Sequence, residues 1–457
     1  MTAAPLFGSM TSFDQFVFAF TIASHITLVT MSIALVVLIV IAEFLSIRRG
    51  DTDYADLASR LTKVFTISFG VGTASGIVMA VELVTLFPTF VTVGAQTGVM
   101  ELFYFEVFAF FLETIFLVLY VYYADAFRGK WAHFITGCLV AAGALISAVL
   151  IVSVNAWMNT PNGIDVQAFL QGLQSGRFVV TGVDVWAPFS TPSTFAEVAH
   201  VLSTTLLTGS MMIGGYFAYR IIRYDRADEK TMLSKGVKIT VVLSLIMLVI
   251  AGITGSHEMA TLLLTQPLKY SALDLNVTPG AGLSETFFGM TVPGLQGWLA
   301  RAELGMAQLP GLSQYPQSVW PPLYVHTTFD LMVLGAFLAA GYFLLYVFGR
   351  VLRKRPFESR TLLLLQIPAS IGTYLVYQFG WITDEVGRQP WIVYNVVTVA
   401  QAASQNASML LPGTLIVLFY FIVIPATFYF FIRVFNSSGT NGAVVPGSGQ
   451  AAKDVNY

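Results

Sequence analysis

Cysteine and charge are both scarce in this chain. Among 457 residues there is one cysteine, Cys138, inside an apolar run, so neither a disulfide framework nor a cysteine-ligated zinc or iron–sulfur site can be built. Any metal must be held by His, Met or carboxylates, inside a cofactor. Only 25 acidic and 23 basic residues are present, 11% of the chain, where soluble globular proteins run at about a quarter. A soluble protein of this length could not cover its surface with so few, which excludes a cytosolic enzyme, a disordered scaffold and a nucleic-acid binder with a basic face. The net charge of −2 gives no reason to expect nucleic acid as a partner. A Walker loop is also lacking, which removes ATP-driven transport by this chain. The N-terminus lacks the basic region and small-residue cleavage site of a signal peptide, so the first apolar run is expected to remain as a span.

What is abundant is apolar sequence: 56% hydrophobic residues and a mean hydropathy of +0.74. A bilayer core needs about 20 apolar residues per helix. Runs of that kind cover roughly 16–46, 64–91, 101–124, 132–154, 195–222, 238–254, 323–349, 361–382 and 409–432. The expectation is therefore an all-α integral membrane protein of nine spans, with its termini on opposite sides. Alternating the loops puts nineteen of the 23 basic residues on one side and leaves only Arg177, Lys269, Arg301 and Arg388 opposite. The positive-inside bias then predicts the N-terminus outside and the C-terminus in the cytoplasm. In this division residues 1–254 hold spans 1–6 and 255–322 form a long outer loop. Residues 323–435 hold spans 7–9, and the Gly/Ser-containing stretch 436–457 reads as a disordered tail.

Ionisable groups inside a bilayer cost about 2.5–3.5 kcal/mol each on insertion scales, so those that occur are candidates for function. The spans carry His25, Glu43, Glu82, Glu101, Glu106, Glu113, Glu197, His200, His326 and Asp330, with Asp384 and Glu385 where span 8 leaves the membrane. Counted at about 1.5 Å per residue from the outer ends, His200 and Met332 reach a similar depth, roughly 8–14 Å, from different helices. A histidine nitrogen with a methionine sulfur is a standard axial pair for low-spin haem. The alternative is a histidine bonded to a neighbouring helix and a packing methionine. Glu106 and Glu113, seven residues apart, project from one helix face, as a proton path or a satisfied pair of buried acids would. The small residues of Gly70-Val71-Gly72-Thr73-Ala74-Ser75-Gly76 have the wrong spacing for a nucleotide fingerprint and suit close helix or cofactor packing. In Gly387-Arg388-Gln389-Pro390-Trp391, Arg388 suits either Glu385 or a haem propionate.

These residues also carry a resemblance. The strings Thr21-Ile22-Ala23-Ser24-His25, Ala109-Phe110-Phe111-Leu112-Glu113-Thr114, Asn155-Ala156-Trp157-Met158-Asn159 and Gln266-Pro267-Leu268-Lys269 belong to it, as do His200, Met332 and the segment from Gly380-Trp381 through Glu385 to Trp391. On them the chain resembles subunit I of the cytochrome bd quinol oxidases across essentially its full length. The resemblance implies a terminal oxidase that oxidises quinol at the outer face and reduces oxygen to water with cytoplasmic protons, without proton pumping, in the cell membrane of a prokaryote. It implies His200 and Met332 as axial ligands of a low-spin haem b. His25 and Glu385 would each serve one of two high-spin haems, a second b-type haem and haem d or a third b-type haem. Trp381 and Arg388 would line the cofactors. Glu113 and Glu106 would serve the proton or oxygen route, with Ser147 on a neighbouring polar path, and Lys269 and Asp274 would flank the quinol site. A second membrane subunit, and small accessory subunits, are the partners it implies.

Three departures from the family pattern stand out. Aligned on Ala109 to Glu113, the family's first glutamate falls on Phe105, with Glu106 adjacent. Either a local bulge brings Glu106 round, or Glu101 substitutes, or that ligand is missing. Asp330 stands where the family usually has arginine, and Asp274 where it has glutamate. A quinone oxidoreductase without oxygen reduction and, from another class, an ion-coupled transporter without haem are the competing readings.

Overall fold

The structure, a computed structural model, describes residues 8–165, 171–172, 183–224, 227–306, 308–352 and 356–437. Among them nine helices are long and apolar enough to cross a membrane. They are α1 Met10–Arg49, α2 Thr52–Leu86, α3 Val99–Tyr122, α4 Lys130–Asn159, α5 Thr194–Tyr224, α6 Ala227–Thr265, α7 Val325–Leu352, α8 Arg360–Gly387 and α9 Leu410–Ser437. The expected all-α fold is the one that forms. The tail expected over 436–457 lies, from residue 438 onward, outside the described residues.

The helices outrun their apolar stretches, because polar residues at their ends find partners inside the bundle. Hydropathy opens the second span near residue 64, yet α2 starts at Thr52, capped by Asp51, whose carboxylate accepts from the Asp53 N–H at 3.0 Å. Its added turns include Arg60, 6% exposed, which bonds Asp56 at 3.1 Å and Glu229 of α6 at 2.9 Å. Arg220 of α5 holds the other oxygen of Glu229. The boundary expected at 254 falls inside α6, which continues to Thr265 through Ser256, His257 and Glu258, so the long connection starts at Gln266. Gly50 ends α1 in the left-handed conformation, φ 63°, donating to the Ser46 carbonyl, a backbone state open to glycine without strain.

α1 and α5 are the most enclosed spans, and α7 and α9 the least. Gly209 of α5 lies directly against Ala34 and the Thr30 carbonyl of α1, so any side chain there would separate the two central helices. A large apolar core (Leu35, Leu38, Leu61, Phe65, Phe217, Val237, Phe343, Leu363) fills the end of the bundle that carries most basic residues, the basic end. A second (Phe13, Val17, Phe90, Trp157, Val393) closes the opposite end around α1.

The connection between α6 and α7 is folded. It holds a short helix Pro267–Leu273, an antiparallel hairpin of β1 Glu285–Phe287 and β2 Met290–Val292 with Phe287 opposite Met290, and a helix Leu295–Leu304. Leu268, Leu273, Leu309 and Leu312 pack it onto Leu262 of α6 and Phe329 of α7. After α8, β3 Trp391–Val393 pairs with β4 Val397–Thr398.

Candidate functional site

Two histidines are held the same way. His25 of α1 meets Ser75 of α2 through Nδ1 at 3.1 Å, and a Cβ on the next residue, Gly76, would lie 3.4 Å from the His25 ring. His200 of α5 meets Thr254 of α6 through Nδ1 at 3.3 Å, and a Cβ on Gly255 would lie 3.1 Å from its ring. In both, a hydroxyl fixes one ring nitrogen, a glycine leaves the ring room, and Nε2 is set on the far edge. The Thr254 hydroxyl spends its own proton on the Ile250 carbonyl at 2.9 Å, so it receives the Nδ1 proton of His200. That fixes the tautomer with a bare Nε2. The Ser75 hydroxyl is also 2.7 Å from that of Tyr420 on α9. Of the glycine-rich string, only Gly76 makes such a cradle; Cβ atoms on Gly70 and Gly72 would meet nothing within 4 Å.

Met332 of α7 faces a third glycine: its Sδ would lie 3.3 Å from a Cβ on Gly380 of α8, and Trp381 follows, edge-on to Tyr377. Tyr377 ties α8 to α5 through Thr205 at 2.8 Å. His200, six residues into α5, and Met332, seven into α7, thus lie at matching depths, about 9 and 10 Å from their helix ends.

At the end opposite the basic residues a buried polar network joins α4, α5, α8 and the short helix after α6. Lys269 donates to Asp384 at 2.5 Å. Asn155 and Asn159 also donate to Asp384, at 2.6 and 3.3 Å, and Asn159 to Glu197 at 3.0 Å. Their amide oxygens accept from Arg388 at 2.9 and 3.0 Å, and Arg388 reaches Glu385 at 2.6 Å. Arg388 is 2% exposed and Glu385 about a third, so the arginine is the structural centre and the glutamate its accessible edge. Arg388 Nε and Glu258 Oε2 are buried without a hydrogen-bond partner among the described residues. Asn155 and Asn159 are visible in sequence only as ends of a family-like string, and Glu258 carries no signal of its own.

Glu106 accepts from Ser147 of α4 at 2.9 Å, and Glu113, 5% exposed, lies against Gly143 of α4. α3 is uninterrupted from Val99 to Tyr122, so there is no bulge. Phe105 points instead to Trp186 and Phe189, with ring centroids 6.4 and 5.6 Å away. Glu101 stays in the first turn.

Asp274 and Asp330 belong to the folded loop. Asp274 takes the amide of Gln296, whose oxygen accepts from Asn276 at 2.7 Å. Burial, then the nearby Glu285 carboxylate, pushes the Asp274 carboxyl well above its usual range, so it holds the proton of that pair. Asp330, 2% exposed, accepts from the Phe288 N–H of the hairpin at 2.8 Å and lies 3.5 Å from His326. Its Oδ2 is thus engaged by the hairpin, while Oδ1 is buried without a hydrogen-bond partner among the described residues. Lys269 and Asp274, expected together at one site, use different partners.

Residues 14–438 match the family described as cytochrome bd terminal oxidase subunit I. The chain is similar to the putative cytochrome bd menaquinol oxidase subunit I of Bacillus subtilis (strain 168), 29% identical over 421 residues, covering 89% of this chain and 91% of that one. It is also similar to the cytochrome bd ubiquinol oxidase subunit 1 of the same organism, 26% identical over 419 residues, covering 86% and 85%. The solved bd oxidase from Geobacillus thermodenitrificans superposes with a TM-score of 0.85 at 26% identity, covering 94% of this chain and 98% of that one. With the matched region taking in all nine spanning helices and the residues assembled above, the chain belongs to the cytochrome bd terminal oxidase subunit I family.

Proposed function

We propose that this chain is the haem-bearing subunit of a membrane quinol:oxygen oxidoreductase, with its basic end in the cytoplasm. Electrons from quinol enter at the opposite end, and protons for water formation climb from the basic end. The observation that carries this reading is the matched pair of cradles. Ser75-Gly76 and Thr254-Gly255 each engage Nδ1 of a histidine and leave Nε2 as the nitrogen for iron. In each, the glycine clears the Cε1 side of the ring and Nε2 lies more than 4 Å from a Cβ placed there, on the edge left open for a ligand.

The residues fit haem. His200 and Met332 would hold a low-spin haem b between α5, α7 and α8, against Gly255 and Gly380. His25 and Glu385 would each serve one high-spin haem. Arg388, with its unpaired Nε, and Trp381 would line the cofactor, the guanidinium suiting a propionate. When bound, the haems supply one-electron transfer and an iron that takes oxygen. The chain's own part is positional and protonic. Lys269 neutralises Asp384 and, with Asn155 and Asn159, orients Arg388. Glu106 and Glu113 hold protons on one face of α3. Lys269 and Asp274 would flank quinol, and a second membrane subunit would cover part of the exposed apolar surface of the bundle.

The test is a reduced-minus-oxidised spectrum of the purified complex, repeated for Met332→Leu. The parent should show b-type bands and a red-shifted band from haem d, and the variant should lose the low-spin b signal alone. An unchanged low-spin band in Met332→Leu sinks the ligand assignment, and a parent with only b-type bands sinks haem d.

A further inference from the structure

Glu106 and Glu113 are only the upper part of a longer stripe on α3. Tyr120 lies seven residues beyond Glu113, so all three share one helix face, and α4 answers each of them. Ser147 bonds Glu106, Gly143 backs Glu113, and Gly137 lies under the Tyr120 ring, where a Cβ would come within 2.8 Å. His133 lies against the same ring, tilted by 31° with centroids 4.1 Å apart. At the basic end this seam closes on Glu43 of α1. Tyr120 donates its hydroxyl proton to Glu43 Oε2 at 2.6 Å, and His133 Nδ1 lies 2.7 Å from Glu43 Oε1. His133 Nε2 lies 3.0 Å from the Tyr120 carbonyl. Glu43 is 1% exposed and His133 fully buried.

We propose that Glu43 and His133, with Tyr120, form the inner proton-holding site of the α3–α4 seam, from which Glu113 is supplied. This rests on the oxidase reading above. The hydrogen bonds fix the occupancy. A carbonyl can only accept, so His133 Nε2 carries a hydrogen, and one further proton lies between Nδ1 and Oε1. It makes the pair imidazolium and carboxylate, or imidazole and carboxyl; either way the unit is neutral. Without that proton, a lone pair of Nδ1 would face a carboxylate oxygen at 2.7 Å, which no neighbouring donor relieves except Tyr120 on the other oxygen. The site therefore holds one proton and refills once emptied.

The groups that face the pair are Tyr120 from α3, Cys138 from α4 and, through Tyr120, the Thr62 hydroxyl from α2. Glu113 is seven residues further along α3, about 10 Å, past buried Leu117 and Val140. The proton moves across that apolar stretch on transient waters and ends on the Glu113 carboxylate, while a cytoplasmic proton replaces it at Nδ1. A dry stretch between two proton-holding groups keeps the path closed between turnovers. Joining α1, α3 and α4 is what the same three residues would do with no protonic role, and the test separates the two.

The full complex is compared as parent, Glu43→Gln, Glu43→Asp and His133→Asn. Glutamine keeps the bonds to Tyr120 and His133 but cannot pass a proton. Haem content should hold in Glu43→Gln while oxygen turnover with a soluble quinol falls by roughly tenfold or more, and Glu43→Asp should recover part of it. Infrared difference spectra supply a readout that needs no turnover: His133→Asn should change the Glu43 band from carboxylate to carboxyl, or abolish its exchange with deuterium. Turnover unchanged in Glu43→Gln overturns the proposal, as does loss of haem in step with turnover, which assigns the pair to structure alone. A Glu43 band, assigned by its loss in Glu43→Gln, whose frequency and deuterium exchange His133→Asn leaves unchanged overturns it as well. A parent complex that consumes no oxygen refutes the oxidase reading instead, and the infrared comparison still judges the pair.

Discussion

Replacing Thr254 by valine keeps shape and removes one oxygen, the acceptor 3.3 Å from His200 Nδ1. The structure gives the consequence in two steps. First, the neutral hydrogen bond is worth about 0.5–1.5 kcal/mol, and without it the His200 ring N–H keeps only the Ala251 carbonyl as acceptor, so the tautomer with a bare Nε2 is selected less strongly. Second, partners of this kind typically change metal-site affinity by about 10- to 100-fold when removed, or about 1.4 to 2.7 kcal/mol. The imidazole also becomes a weaker electron donor, which disfavours the oxidised iron. A tenfold bias between the two oxidation states is about 59 mV for a one-electron couple, so the potential of the low-spin haem should rise by an amount of that order. Thr254→Ser, which retains the hydroxyl, should stay near the parent. The assay is haem content by difference spectroscopy with an equilibrium redox titration of the low-spin band. If Thr254→Val matches the parent in both occupancy and potential, the hydroxyl does not orient His200 and the cradle argument fails.

Other outcomes follow from the same geometry. Gly255→Ala places a Cβ 3.1 Å from the His200 ring and Gly76→Ala one 3.4 Å from His25, so the first should shift its haem band more than the second. Arg388→Ala leaves Glu385, Asn155 and Asn159 without their donor and should cost about 3–5 kcal/mol, read as a lowered thermal unfolding midpoint. Arg388→Lys should recover only part, since one ammonium cannot reach two amides and a carboxylate. Asp274 is held protonated by burial and Glu285. Its contribution to loop stability is therefore complete below the ordinary aspartate range, about 4, and is lost as pH rises through its raised value. Hydrogen exchange of the hairpin Glu285–Val292 should accelerate over that rise, and Asp274→Asn should flatten the dependence.

The nine spans were legible because bilayer length and apolarity leave few alternatives, and His25 and His200 stood out as ionisable groups inside spans, while Met332 stood out only by its depth and by the family resemblance. Helix ends were not legible. Arg60 looks like a loop residue by hydropathy, and only its bond to Glu229, 169 positions away, shows why α2 extends past it. Likewise Glu258 reads as outside the membrane until α6 is seen to carry it toward Asp384. The supports of the histidines escaped for another reason. Ser75-Gly76 and Thr254-Gly255 are ordinary dipeptides in helices of this kind, and they acquire meaning only once helix pairing sets each beside a ring. Asp330, standing where the family usually has arginine, is engaged by the hairpin, a contact 42 residues apart in sequence. Glu106 faces Ser147 with no bulge because it, and not Phe105, shares the stripe of Glu113 and Tyr120.

If, as proposed, this subunit binds haem through His25, His200 and Met332, the complex around it passes electrons from quinol to oxygen. Oxygen uptake by the purified complex, fed a soluble quinol and followed together with its haem spectrum, tests that most directly. Quinol-dependent uptake should be present in the parent and disappear with the low-spin band in Met332→Leu. A haem-loaded complex that oxidises quinol without consuming oxygen, or a complex that carries no haem, would contradict it.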